Sequence, residues 1–114
     1  MGNIFGKLMV KILSNFRSHW IAIYAKSRGH AYYFDSYGAD PNKYVAEYLL
    51  NYRRVTRNLR PFQSLISTVC GHYCVYFIYF MSLGLDFDKL LRTLHCSYNS
   101  DILVRKFVLN FFRK

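Results

Sequence analysis

One hundred and fourteen residues, 53% of them hydrophobic and 19% aromatic, suffice for one small domain with a buried core and are too few for two. Eleven Tyr and ten Phe beside two Pro and six Gly exclude a disordered, collagen-like or low-complexity chain. Sixteen Lys and Arg against six Asp and Glu leave a net charge of +10, which favours acidic partners: nucleic acid, an anionic membrane surface or acidic protein segments.

In residues 1–18, Ile4, Phe5, Leu8, Met9, Ile12, Leu13 and Phe16 recur at helical spacing while Lys7, Lys11 and Arg17 fall elsewhere. The segment is expected as a basic amphipathic helix, packed on its own domain or lying on a membrane surface. His19–Ala25 is β-branched and aromatic, Lys26–Gly29 has turn composition and Ala31–Asp35 is aromatic again, which predicts a β-hairpin. Asp40 followed by Pro41 reads as an N-cap and first helical position, with Tyr44, Val45, Tyr48, Leu49 and Tyr52 as the apolar face of the helix that follows. That helix leads into Arg53, Arg54, Arg57 and Arg60, and Pro61 stops any extension. Were it to continue, Arg53 and Arg57 would share a face, which makes the four arginines candidate nonspecific nucleic-acid contacts; a solvated face is the plainer reading.

Residues 61–85 contain no Asp, Glu, Lys or Arg. Their purely apolar part, Tyr73 to Leu83, is about half the ~20 residues a membrane-spanning helix needs, so a buried central helix is expected instead of a transmembrane span. It begins near Thr68 or Val69 and closes at Gly84. Asp86 then caps a short helix through Leu94, and Asn99 or Ser100 caps a last one whose apolar face is Ile102, Leu103, Phe107, Val108 and Phe111. No repeat or linker interrupts the chain, so one domain is expected over residues 1–114.

Three cysteines, Cys70, Cys74 and Cys96, are an odd number without a Cys-x-x-Cys pair, and no signal peptide precedes them. A disulfide framework and a zinc site are not expected; neither is a cofactor. The chain is read as intracellular, in cytoplasm or nucleus, and not secreted. Cys70 follows Ser67 and Thr68 into the central helix, where unpaired N–H groups and the helix dipole favour a thiolate. Gly71 beside it removes a side chain and lets a substrate carbonyl approach the sulfur. A structural cysteine would fit these facts equally well.

The wider pattern distinguishes the two. His19-Trp20 opens a strand, Phe34-Asp35-Ser36-Tyr37-Gly38 ends the next, and Gln63 precedes Cys70-Gly71-His72-Tyr73-Cys74 by a short interval. In this order and spacing, residues 19–80 resemble the adenovirus-type (adenain-like) cysteine proteases, including those of Polinton-type transposons, within the wider clan of ubiquitin-like-protein-specific proteases. The resemblance implies an α+β fold of the papain-like superfamily: a small antiparallel sheet packed on a central helix that carries the cysteine. It makes Cys70 the nucleophile and His19 its general base, with Asp35 holding the imidazole tautomer where the adenoviral enzymes have Glu. Gln63 and the Cys70 N–H would form the oxyanion hole, and Trp20 and Gly71 would line the substrate groove, Trp20 sheltering His19 as an alternative.

Each residue also has a plainer reading: a strand-end histidine, a turn aspartate, a loop glutamine, a core tryptophan. Cys74 is read as packing, and His30, His72 and His95 receive no role. Family members carry a longer stretch ending in a β-strand before the His-Trp pair; with residues 1–18 read as helix, the domain is expected to be N-terminally shortened, with residues 86–114 as C-terminal helices outside the motif. The implied function is a cysteine endopeptidase acting on viral or transposon polyproteins, in the cell or the virion. The alternative is a catalytically impaired relic that binds nucleic acid or protein through its basic surface.

Overall fold

The computed structural model describes residues 6–14, 17–62, 70–96 and 99–111, with side chains from His19 onward. The chain order is β1 (Gly6–Ser14), β2 (Arg17–Ser27), β3 (His30–Phe34), α1 (Lys43–Leu49), β4 (Arg54–Arg57), α2 (Cys70–Ser82), α3 (Phe87–Cys96) and α4 (Ser100–Phe111). The fold is α+β, built on one four-stranded sheet in the order β1-β2-β3-β4.

The expected hairpin is present. β2 and β3 run antiparallel with Ala22 opposite Phe34 and Tyr24 opposite Tyr32, and a register shift between Ala25 and Ser27 precedes the turn. The sheet as a whole is mixed and not antiparallel, because β4 pairs parallel to β3 from His30↔Arg54 to Tyr33↔Arg57. A parallel neighbour needs a crossover, and α1 is that crossover.

The expected N-terminal helix is replaced by a strand. β1 pairs antiparallel with β2 from Gly6↔Ala25 to Ser14↔Arg17; residues 1–5, 15 and 16 of the expected helix lie outside the described residues. The segment also carries a two-residue period, since Leu8, Val10 and Ile12 alternate with Lys7, Met9 and Lys11. The free edge of the long strand β2 decides between them, because pairing there satisfies backbone groups on both strands.

α1 is also shorter than expected. Its N-cap is Asn42, whose side chain accepts the Val45 N–H at 2.9 Å, so Asp40 and Pro41 precede the helix. Val45 and Leu49 are buried with Ile21, Ile23 and Tyr33 on one face of the sheet, whereas Tyr44 is exposed. The opposite face, carrying Ala22 and Phe34, meets Tyr73, Cys74 and Phe77 of α2, with Leu90, Leu94 and Val104 of α3 and α4 completing the main core. The central helix therefore behaves as its composition requires.

It closes as expected too: Gly84 has φ +90°, its N–H reaches Met81 O and the Leu85 N–H reaches Phe80 O, a left-handed glycine cap. Asp86 caps α3 through the Lys89 N–H at 3.3 Å, and Asn99 caps α4 through the Ile102 N–H at 3.2 Å. No described helix is long and apolar enough to cross a membrane.

Candidate active site

His19 lies on β2 just before the buried run Ile21–Ile23, and Asp35 follows the last residue of β3. Both are buried. The hairpin register sets their approach. Because Ala22 pairs with Phe34, continuing the ladder places Tyr37 across from His19 and Asp35 one diagonal step away. The His19 Nε2 to Asp35 Oδ1 distance is 2.8 Å. The Tyr37 N–H donates to the same Oδ1 at 2.8 Å, and the Tyr37 ring stacks on the imidazole with centroids 4.5 Å apart.

With Nε2 occupied by Asp35, the other ring nitrogen, Nδ1, is the one left for chemistry. It is buried and without a strict hydrogen-bond partner among the described residues, and the Cys70 thiol lies close enough for each group to shift the other's titration. Cys70 stands at the N-terminal end of α2, and its sulfur accepts the Trp20 N–H at 3.4 Å. Residue 20 thus contributes its backbone to the sulfur while residue 19 contributes its ring.

The electrostatics follow from this geometry. Burial disfavours a charged imidazole, yet the hydrogen bond to Asp35, the Cys70 contact and the two negative charges outweigh it, and His19 is raised from 6.5 to about 9. Burial likewise disfavours a thiolate at Cys70, but His19 and the N–H groups of Trp20 and Gly71 overcome it and lower the thiol. One shift favours the imidazolium and the other the thiolate, so each group favours the charged form of the other. Cys74 is fully buried and pushed well above its ordinary value by that burial, then by the charges of Cys70 and Asp35. It packs, as expected.

Tyr37 is the ring stacked on the imidazole. The Trp20 indole lies against the start of α2, where a Cβ on Gly71 would stand 3.4 Å from Trp20 Cδ1, and it also packs on the main core. Gln63 lies outside the described residues. The residue before it is firmly held: the Phe62 N–H donates to Ser36 O at 2.7 Å, and its carbonyl lies 3.2 Å from the Tyr73 hydroxyl.

Sequence reasoning assigned nothing to Tyr37 or Asn58. Tyr37 lies inside the quoted motif, so its place was visible and its role was not. Asn58 gives no signal among its arginine neighbours, yet it is 2% exposed and binds both backbone groups of Asp35, accepting its N–H at 3.0 Å and donating to its carbonyl at 2.6 Å. The Asp35-to-Gly38 segment is further tied by the Gly38 N–H to Asp35 O at 2.8 Å. Gly38 has φ +70°, and a Cβ there would lie 2.8 Å from the Arg60 carbonyl carbon.

The arginine run does not form the helical face considered from sequence. Arg54 and Arg57 belong to strand β4, where residues three apart point to opposite sides. Arg54 lies 3.1 Å from His30 Nδ1, and Arg57 forms an ion pair with Asp40 at 2.8 Å. Arg53 and Arg60 are exposed beyond the two strand ends. The other histidines stand apart from His19, Asp35 and Cys70: His30 also meets Thr56 Oγ1 at 2.6 Å, the His95 ring is tilted against Phe62 with centroids 4.3 Å apart, and His72 is lowered by burial and the charge of Arg105.

Comparisons with protein-family models, curated proteins and solved structures give no match for this chain.

Proposed function

We propose that this chain is a cysteine endopeptidase of the adenovirus-type, papain-like kind, working through Cys70, His19 and Asp35. The observation that carries the reading is the convergence of three residues from three separate elements: the strand-end His19 bonded to Asp35 at 2.8 Å on one nitrogen, with the Cys70 thiol facing it from the end of α2. A structural cysteine needs neither a lowered thiol nor a buried, charged histidine, since burying such groups costs free energy unless they are paired. Strand β1 adds support, because it stands directly before the His-Trp strand, where the family pattern has a strand.

In the proposed reaction the Cys70 thiolate attacks the scissile carbonyl. His19 Nδ1 then protonates the leaving amine, giving an acyl-enzyme that water hydrolyses with His19 as base. Asp35 keeps Nε2 protonated and oriented. The Cys70 N–H and Gln63 are the proposed oxyanion donors, Trp20 and Gly71 flank the substrate, and viral or transposon polyproteins are the proposed substrate class.

The test is alkylation at pH 6 with cysteine mapping by mass spectrometry, beside cleavage of a peptide library. Cys70 is expected to react much faster than the exposed Cys96 or the buried Cys74. Cys70→Ala and His19→Ala should each abolish cleavage, and the double variant should be no worse, since the two act as a unit. Equal labelling of Cys70 and Cys96 together with no cleavage would overturn the proposal.

A further inference from the structure

Asp35 sits where regular pairing ends. The last hairpin pair is Ala22↔Phe34 and the last parallel pair is Tyr33↔Arg57, so the Asp35 peptide receives no partner from either ladder. It is nonetheless buried, at 2% exposure; its carbonyl accepts the Gly38 N–H at 2.8 Å, but among the described residues its N–H has no backbone partner, and a buried N–H left unpaired is costly. Asn58, the residue after β4, fills the gap with its side chain. Its Oδ1 accepts the Asp35 N–H at 3.0 Å, while its Nδ2 donates to Asp35 O at 2.6 Å and to Arg60 O at 3.1 Å. The amide acts as a surrogate peptide that prolongs the sheet by one residue.

The consequence reaches the carboxylate. With the Asp35 backbone clamped, its Oδ1 is aimed at His19 Nε2 and at the Tyr37 N–H together. If the clamp is lost, Asp35 O keeps the Gly38 N–H but the Asp35 N–H must turn toward other partners or water, and the carboxylate moves with it. We propose that Asn58 is a positioning residue of the site, holding the Asp35 carboxylate where it fixes the His19 imidazole. This rests on reading His19, Asp35 and Cys70 as a proteolytic triad. The ionisable groups around the imidazole are Asp35 at the end of β3, Cys70 on α2 and the stacked Tyr37, with Cys74 and Tyr33 coupled electrostatically to Asp35. Asn58 carries no charge, so any effect it has on titration must pass through Asp35.

The deciding experiment is the pH dependence of Cys70 alkylation by iodoacetamide in the full chain, for the parent, Asn58→Ala and Val104→Ala. Val104 is a buried α4 residue in the main core and serves as a control for general destabilisation. In the parent, the acid limb of the profile is expected well below the 8.5 of a free thiol. In Asn58→Ala it is expected to move up by about one pH unit, slowing labelling about tenfold at pH values below both limbs, because a misplaced Asp35 supports the imidazolium less well. Val104→Ala is expected to keep the parent's limb.

A low acid limb in the parent that stays in place in folded Asn58→Ala, or that moves as far in Val104→Ala, overturns the positioning role and leaves the triad standing. A parent limb near 8.5 overturns the triad reading itself. Should Asn58→Ala not fold, the same measurement on Asn58→Ser decides, since its hydroxyl is too short to bridge both Asp35 backbone groups and the same upward shift is expected.

Discussion

Replacing Asp35 with Asn keeps the shape of the side chain and removes its charge, which separates the two ways Asp35 acts on His19. The imidazole stands at about 9 against an ordinary 6.5, and at ~1.4 kcal/mol per pH unit that difference is worth about 3 kcal/mol. It is a net figure, left after burial has opposed the charged ring. The Tyr37 N–H also donates to Asp35 Oδ1, so an amide at this position is held with its carbonyl oxygen toward His19. The hydrogen bond then survives and only the charge is lost.

His19 is therefore expected to fall by about 1–2 pH units in Asp35→Asn, with the equilibrium constant for forming the thiolate–imidazolium pair falling about 10- to 100-fold. The assay is an NMR titration of the His19 ring in Cys70→Ala and in Cys70→Ala/Asp35→Asn, which takes the coupled thiol out of the comparison. Stability supplies a second reading. A histidine raised on folding stabilises the fold fully below pH 6.5 and loses that contribution as pH rises through its folded value, at or below the parent's 9 in this background. Urea unfolding between pH 6 and pH 10 should thus show the Cys70→Ala protein losing about 1–3 kcal/mol more than the double variant. Identical His19 titration in the two proteins would refute the account of how Asp35 works.

Gly38→Ala should destabilise the domain by about 3 kcal/mol in thermal or urea unfolding, combining a left-handed backbone with a clash against residues 59 and 60. Gly84→Ala has a left-handed φ but open space around it, and should cost only about 1 kcal/mol; equal losses would show that the Asp35–Gly38 turn is not packed as described. For nucleic acid, Arg54→Gln/Arg57→Gln should reduce the log–log salt slope of duplex binding by less than the roughly two units expected of two shared phosphate contacts. The strand turns these residues to opposite sides and Arg57 is paired with Asp40; a full two-unit drop in fluorescence anisotropy titrations would contradict that geometry.

What could be read from the sequence was what depends on neighbours close in the chain. The aromatic runs flanking Lys26–Gly29 form a hairpin, Cys70–Ser82 of the uncharged stretch form the central helix, and Gly84, Asp86 and Asn99 end or begin helices where local hydrogen bonding places them. Order and spacing also singled out His19, Asp35 and Cys70, which the structure brings together, His19 and Asp35 at 2.8 Å. The errors fall on residues whose partners are distant. Residues 6–14 carry an apolar set compatible with helix or strand, and only the free edge of β2 selects the strand. Arg54 and Arg57 joined β4 because β3 offered a parallel edge, and Asn42 capped α1 in place of Asp40. Tyr37 and Asn58 entered the site through the register of the hairpin and the end of the parallel ladder. Strand pairing joins residues far apart in sequence, so its outcome depends on which edges are left unsatisfied, and that exists only in the assembled sheet.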